Sequence, residues 1–302
     1  MKFERVGEFA SDNGDYSRVK IHAPGKINLS LEILARRNDD FHEIKTVIQR
    51  IDLSDVIEIE ERPQLIVECD DQNISDDINL VRRVADKLLE HTGCGRGAYI
   101  RLQKHIPVGF GLGGGSSDAA ATIKALNKLW NLNLASGVLA DIGASVGSDI
   151  PALLCETTVL GEGRGELISR APGLDGTPII LVFPKLTMAN KTKQMYGKIR
   201  PDHYTDGTAT DRLIHNLRNE LIVEADMSNV FETVAFETFD GLQILKDSVE
   251  GKTGLSLHLC GSGPAMFAID KPTSIYTEVS EICSFYEAET KLVHAIISSQ
   301  MY

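Results

Sequence analysis

Residues 105–118, HIPVGFGLGGGSSD, gather five glycines and two serines directly ahead of an apolar run with helical spacing. That composition suits an anion cradle. Glycine turns through positive φ and brings the main chain up to a ligand with no Cβ in the way, so successive N–H groups can converge on one charge. Downstream, Ala119, Ile123, Leu126 and Trp130 share one face, which predicts a helix over 117–130 with its positive dipole end at the loop. Phosphate is the expected guest. A dinucleotide loop is disfavoured although Gly109, Gly111 and Gly114 fit its glycine pattern. It wants a buried apolar strand before it and an acidic residue roughly 20 positions on; here RLQKHIP precedes, and residues 119–140 hold no Asp or Glu. A Walker A loop needs Gly-Lys-Ser or Gly-Lys-Thr, whereas Gly115 runs into Ser116 and Ser117. The plainer alternative is an unliganded Gly/Ser turn.

Two ionisable residues stand in apolar surroundings. Asp149 lies between Ser148 and Ile150-Pro151 in a stretch reaching Leu154, where a carboxylate is costly to bury without a partner or a task. Lys26 falls between Gly25 and Ile27; on its own, a solvated ion pair or cap is the simpler role for it. Ser116 and Ser117 can cap the helix or touch phosphate or a metal ion. Asp118, expected in the first turn, gains from the dipole.

The segments 23–29 (APGKINL), 107–118 (PVGFGLGGGSSD) and 259–264 (LCGSGP) resemble, in order and spacing, the three motifs of the GHMP small-molecule kinases. Within them, Asp39-Asp40-Phe41-His42 and Gly147-Ser148-Asp149-Ile150-Pro151 look most like the branch whose acceptor is a cytidine diphosphate conjugate of methylerythritol, in the non-mevalonate route to isoprenoids. The resemblance covers roughly residues 20–270. It implies an α+β, two-domain GHMP kinase fold: an ATP-binding, ribosomal-protein-S5-like domain over 1–170 and a ferredoxin-like α/β sandwich over 171–302. It also implies ATP with Mg2+ as cofactors, with no metal site built from protein side chains alone. Pro107, Gly109, Gly111, Leu112, Gly113, Gly114, Gly115, Ser116 and Ser117 would hold ATP. Asp149 would take the acceptor hydroxyl's proton, with Lys26 keeping it ionised and stabilising the phosphoryl in transfer. Phe41 would stack on cytosine and His42 hydrogen-bond its edge, with Tyr196 either a second stacking ring or a core residue; Asn28, Gly261 and Ser262 complete the acceptor side, and Asn219 is a further polar candidate. Phe41 replaces the usual tyrosine, and Ser148-Asp149-Ile150-Pro151 the usual Ala-Asp-Val-Pro, with the charged residues kept. Homoserine- or mevalonate-type kinases, a diphosphomevalonate-type decarboxylase and a non-catalytic module on the same fold remain as alternatives.

Composition bounds the rest. A chain of 302 residues, 42% hydrophobic, can bury a large core, and a net charge of −12 argues against nucleic acid or an anionic membrane as main partner. The expected partner is a small molecule, and the protein a monomer or homodimer. No apolar run approaches the roughly 20 residues of a membrane span, and the N-terminus lacks a signal peptide's apolar core, so a cytoplasmic location is expected. Five cysteines without a C-x-x-C pair are expected as reduced thiols, mostly small core residues.

The elements that must position these residues follow from periodicity. The first sixteen residues are polar and expected to fray. Strands are predicted at 18–22, 28–35, 44–52, 55–60, 65–69, 99–102, 178–183, 255–260, 265–269 and 291–297. Helices are predicted at 77–92, 117–130, 135–146, 191–197, 219–225, 230–239, 239–249 and 273–286.

Overall fold

The computed structural model describes residues 18–270 and 275–297. The N-terminal residues expected to fray and the start of the last predicted helix lie outside those residues. Branched side chains build two long antiparallel strands, β1 (Arg18–Arg36) and β2 (His42–Arg62). Each runs through what the sequence suggests is a pair of strands. In β1 the gap expected between residues 22 and 28 is absorbed by register shifts between Pro24 and Lys26 and between Asn28 and Ser30. Bulges of this kind re-aim side chains without ending a strand, and these two bracket Lys26 and Asn28. On the far side of β2, β4 (Gly97–Gln103) pairs antiparallel and carries β3 (Ile66–Cys69) in parallel.

Helices α1 (Leu80–Thr92), α2 (Gly114–Leu129) and α3 (Ser136–Val146) cover this sheet. Asn79 caps α1 by accepting from the Val81 N–H, and Gly93 ends it in the left-handed region at φ 60°. Ile21, Ile57 and Ile100 of the strands meet Val84 and Leu88 of α1 and Ile123 and Leu126 of α2 in one core. The predicted apolar face of α2 is buried, and so are Ser117 and Asp118 on its other sides. The short helix α4 (Ile150–Leu154) and the strands β5 (Val159–Gly163) and β6 (Leu167–Arg170) went unread in the sequence. β5 pairs with β2 despite its glycines, which the sequence reads as a loop.

In the second half β7 (Pro178–Phe183), β8 (His258–Leu259), β9 (Met266–Ile269) and β10 (Glu289–Ile296) pair antiparallel, flanked by α5 (Lys191–Gly197), α6 (Thr208–Arg218), α7 (Phe231–Thr238), α8 (Leu242–Thr253) and α9 (Tyr276–Phe285). The helix predicted at 219–225 is a misplacement: α6 ends at Arg218, and only a single 3-10 turn follows at Glu224–Asp226. Leu213, Ile214 and Leu217 supply the buried face of α6, whereas Leu221, Ile222 and Val223 stay exposed. β10 runs along β7 and, at Ala295, reaches Ile51 of β2, so both groups of strands join in one sheet. The mixture is α+β, as expected. A shared cluster of Ile27, Leu29, Leu112, Ile179, Cys260 and Phe267 lies where the halves meet, beneath the motif residues. Among the described residues no helix is long and apolar enough to cross a membrane.

Candidate active site

The glycine loop adopts the conformation its composition calls for. Gly109, Gly111 and Gly113 sit at φ 86°, 85° and 67°, and Gly113 stands immediately before α2. The helix begins at Gly114, three residues earlier than predicted, so Gly114 and Gly115 form its first turn and Asp118 lies beyond that turn. The loop is stitched to β1: the Lys26 N–H donates to the Leu112 carbonyl at 2.9 Å, and the Ser117 hydroxyl donates to the Pro24 carbonyl at 2.7 Å. Gly25 permits that approach, since a Cβ there would stand 3.3 Å from the Leu112 oxygen. Neither serine caps the helix; Gly113 is the N-cap.

Against this loop packs the turn at 260–264. A Cβ on Gly111 would fall 1.9 Å from the Cys260 carbonyl oxygen, and one on Gly261 would fall 2.9 Å from the Gly111 oxygen and 3.1 Å from Lys26 Nζ. Three segments distant in sequence therefore touch through backbone. Lys26 is 5% exposed; its ammonium donates to Asn28 Oδ1 at 2.7 Å and lies 3.9 Å from Asp149 Oδ2. Asn28 Nδ2 donates to the Thr46 hydroxyl, which donates to the Ser30 carbonyl, so the amide that orients Lys26 is itself fixed. Asp149 precedes α4, its side chain 46% exposed. A buried cation held beside a half-exposed carboxylate can steady a phosphoryl while the carboxylate accepts a proton from the solvent side.

The aromatic candidates converge nearby. His42 and Tyr196 stand with ring centroids 5.5 Å apart, and Tyr196 packs edge-on against Phe231 at 4.8 Å. Burial, and secondarily the Asp149 charge, raises the Tyr196 phenol well above its ordinary value. Burial, with the Arg36 charge second, lowers the His42 imidazole and favours its neutral form. Phe41 is 49% exposed, with the Arg164 guanidinium 4.8 Å from its ring centroid. Asn219 closes α6, its amide donating to the His215 carbonyl.

Residues 79–157 match the family model for the GHMP kinases N terminal domain. The chain is 36% identical over 255 residues to the 4-diphosphocytidyl-2-C-methyl-D-erythritol kinase of Dehalococcoides mccartyi, covering 83% of this chain and 90% of the relative. It is 34% identical over 273 residues to the kinase of that name from Acetivibrio thermocellus, covering 89% and 94%. The chain belongs to the 4-diphosphocytidyl-2-C-methyl-D-erythritol kinase family. A crystal structure of 4-(cytidine 5'-diphospho)-2C-methyl-D-erythritol kinase superposes with TM-score 0.76 at 27% identity, covering 91% of this chain and 99% of that one. Homoserine kinase from Cytophaga hutchinsonii superposes at 0.72 but is only 16% identical, covering 97% and 98%, a likeness of fold alone.

Within this member of the kinase family, three supports were not legible in the sequence. Asp55, fully buried, accepts from the His105 and Ile106 N–H groups and from Lys104, whose ammonium also reaches Asp118 Oδ2 at 2.6 Å. This knot anchors the chain entering the glycine loop. Burial raises the Asp118 carboxyl to about 8, Lys104 opposing and Asp55 reinforcing the shift. Asn229 donates to the Leu259 and Gly261 carbonyls and so holds the 260–264 turn. Its signal was its place just ahead of α7. Lys191, the third, opens α5 and is buried.

Proposed function

We propose that this chain transfers the γ-phosphoryl group of ATP to the 2-hydroxyl of 4-diphosphocytidyl-2-C-methyl-D-erythritol, in the non-mevalonate route to isoprenoid precursors. One observation carries the proposal: Lys26 Nζ, fixed by Asn28 and 3.9 Å from Asp149, lies where the glycine loop and the Gly261 turn close on each other. Phosphoryl transfer to an alcohol asks for positioning, charge neutralisation and a proton acceptor, with little covalent chemistry from the protein. Gly109, Gly111 and Gly113 present backbone to the ATP phosphates, with Pro107, Leu112, Gly114, Gly115 and the two serines shaping the cradle, and the start of α2 adds its dipole. Lys26 lies against the loop and offers its remaining donors to the transferring group. Asp149 accepts the hydroxyl proton.

Mg2+, arriving with ATP, would neutralise charge on the phosphates. Of the two serines, Ser117 is committed to Pro24, so the Ser116 hydroxyl at the start of α2 is the oxygen suited to the ion. On the acceptor side, the exposed Phe41 face, the His42–Tyr196 pair and the turn residues Gly261 and Ser262 support recognition of a cytidine diphosphate. A neutral imidazole can pair with a cytosine edge, and stacking on an aromatic is worth about 1–3 kcal/mol per base.

The test is an acceptor panel with ATP. The conjugate should exceed free methylerythritol phosphate, mevalonate and homoserine in kcat/KM by about tenfold or more, the size of one lost stack. Equal rates would leave a GHMP kinase of another acceptor, and carbon dioxide release with mevalonate diphosphate would make it a decarboxylase.

A further inference from the structure

The 260–264 turn carries a second buried cation. Lys191 is 6% exposed, and its ammonium donates to the Gly263 carbonyl. No carboxylate bears on it among the described residues. Burial, then the charge of Lys26, push Lys191 down to about 7, with only Cys260 acting the other way. Lys26 occupies the neighbouring side of the same turn, 3.1 Å from where a Gly261 Cβ would sit. Two ammonium groups thus flank one turn, and Asp149, 3.9 Å from Lys26 and half-exposed, is the carboxylate paired there. Burying a cation without a counter-charge is unfavourable, and an anionic guest removes the deficit. The turn is shaped for close approach, since Gly261 and Gly263 hold φ 55° and 75° with no side chain on either.

We infer that Lys191 is a phosphate-binding residue of the transfer site, its ammonium anchored by the Gly263 carbonyl and its remaining donors directed, with Lys26, at one phosphoryl oxyanion. A lysine ammonium has three donors, so two remain after Gly263. The inference rests on the kinase function proposed above and adds to it a second cation. Two phosphoryl groups fit the chemistry, the terminal one of ATP and the diphosphate of the acceptor conjugate.

Titration calorimetry on the full chain separates them, using CDP, ADP and a non-hydrolysable ATP analogue as ligands for wild type, Lys191→Met and Lys191→Gln. Lys191→Gln keeps a donor for Gly263 and is the variant read where Lys191→Met does not fold. Losing a charge-assisted contact should weaken binding about tenfold or more. A loss confined to CDP assigns Lys191 to the acceptor diphosphate; a loss for the ATP analogue, with ADP and CDP unchanged, assigns it to the terminal phosphoryl. Lys191→Arg should recover much of whichever affinity fell. Folded variants that bind all three ligands like wild type would overturn the inference while leaving the kinase proposal intact. Wild-type protein that binds neither CDP nor the ATP analogue would instead fail that proposal.

Discussion

Gly109 and Gly111 have nearly the same backbone conformation and very different neighbours, which makes them a matched pair. At Gly109, φ is 86° and a Cβ would meet nothing within 4 Å; at Gly111, φ is 85° and the Cβ would lie 1.9 Å from the Cys260 oxygen and 2.9 Å from its carbonyl carbon. Gly109→Ala should therefore cost only the strain of a non-glycine residue at positive φ, about 1–3 kcal/mol. Gly111→Ala adds the same strain and a contact that no real Cβ makes. The loop and the 260–264 turn must part by roughly 1 Å, at an overpacking cost of about 1–3 kcal/mol more. The extra cost falls on the seam between the nucleotide loop and the turn beside Lys26. Denaturant midpoints would give the stabilities, and titration with the ATP analogue the affinities. The expected result is Gly111→Ala less stable than Gly109→Ala and at least about tenfold weaker for nucleotide. Equal stability and equal affinity for the two variants would refute the claim that these segments touch through bare backbone.

Asp149→Asn should lower kcat by about a hundredfold or more with little change in ATP affinity, because the lost group is the proton acceptor; a variant with near-normal turnover removes Asp149 from that role. Phe41→Ala and His42→Ala should each raise KM for the conjugate about tenfold with KM for ATP unmoved, and a fall in ATP affinity instead would place these residues on the nucleotide side. The Asp118 carboxyl is raised to about 8 in the folded protein, so the fold holds a proton that the unfolded chain has lost. Its contribution to stability is full below about pH 4, declines as pH rises, and is gone above about 8. Asp118→Asn should flatten the decline in unfolding free energy between about pH 4 and about pH 8, and parallel curves for variant and wild type would argue against a protonated Asp118.

The parts of the site set by local chemistry were readable. A loop that needs left-handed glycines shows them, and Gly113 alone explains why α2 starts where it does. Gly114, by contrast, is helical, and a Cβ on it would stand 3.1 Å from Ile106 Cγ2. What the sequence concealed was set by distant contacts. Leu221, Ile222 and Val223 look like a buried helix face, yet the sheet takes the preceding turns of α6, and those three are left exposed. Pro24-Gly25 looks like a strand end, but the bulges keep β1 continuous and aim Lys26 and Asn28 at the loop. Asp55 and Lys104 are ordinary charges in sequence; only the approach of β2, β4 and α2 turns them into a buried knot.

The most direct measurement is phosphorus NMR of a completed reaction between ATP and the cytidine diphosphate conjugate of methylerythritol. Phosphoryl transfer to the conjugate's hydroxyl predicts ADP formed one for one with a new phosphomonoester, the conjugate's diphosphate signals retained, and no carbon dioxide. Inorganic phosphate in place of the monoester, or release of CMP from the conjugate, would contradict it.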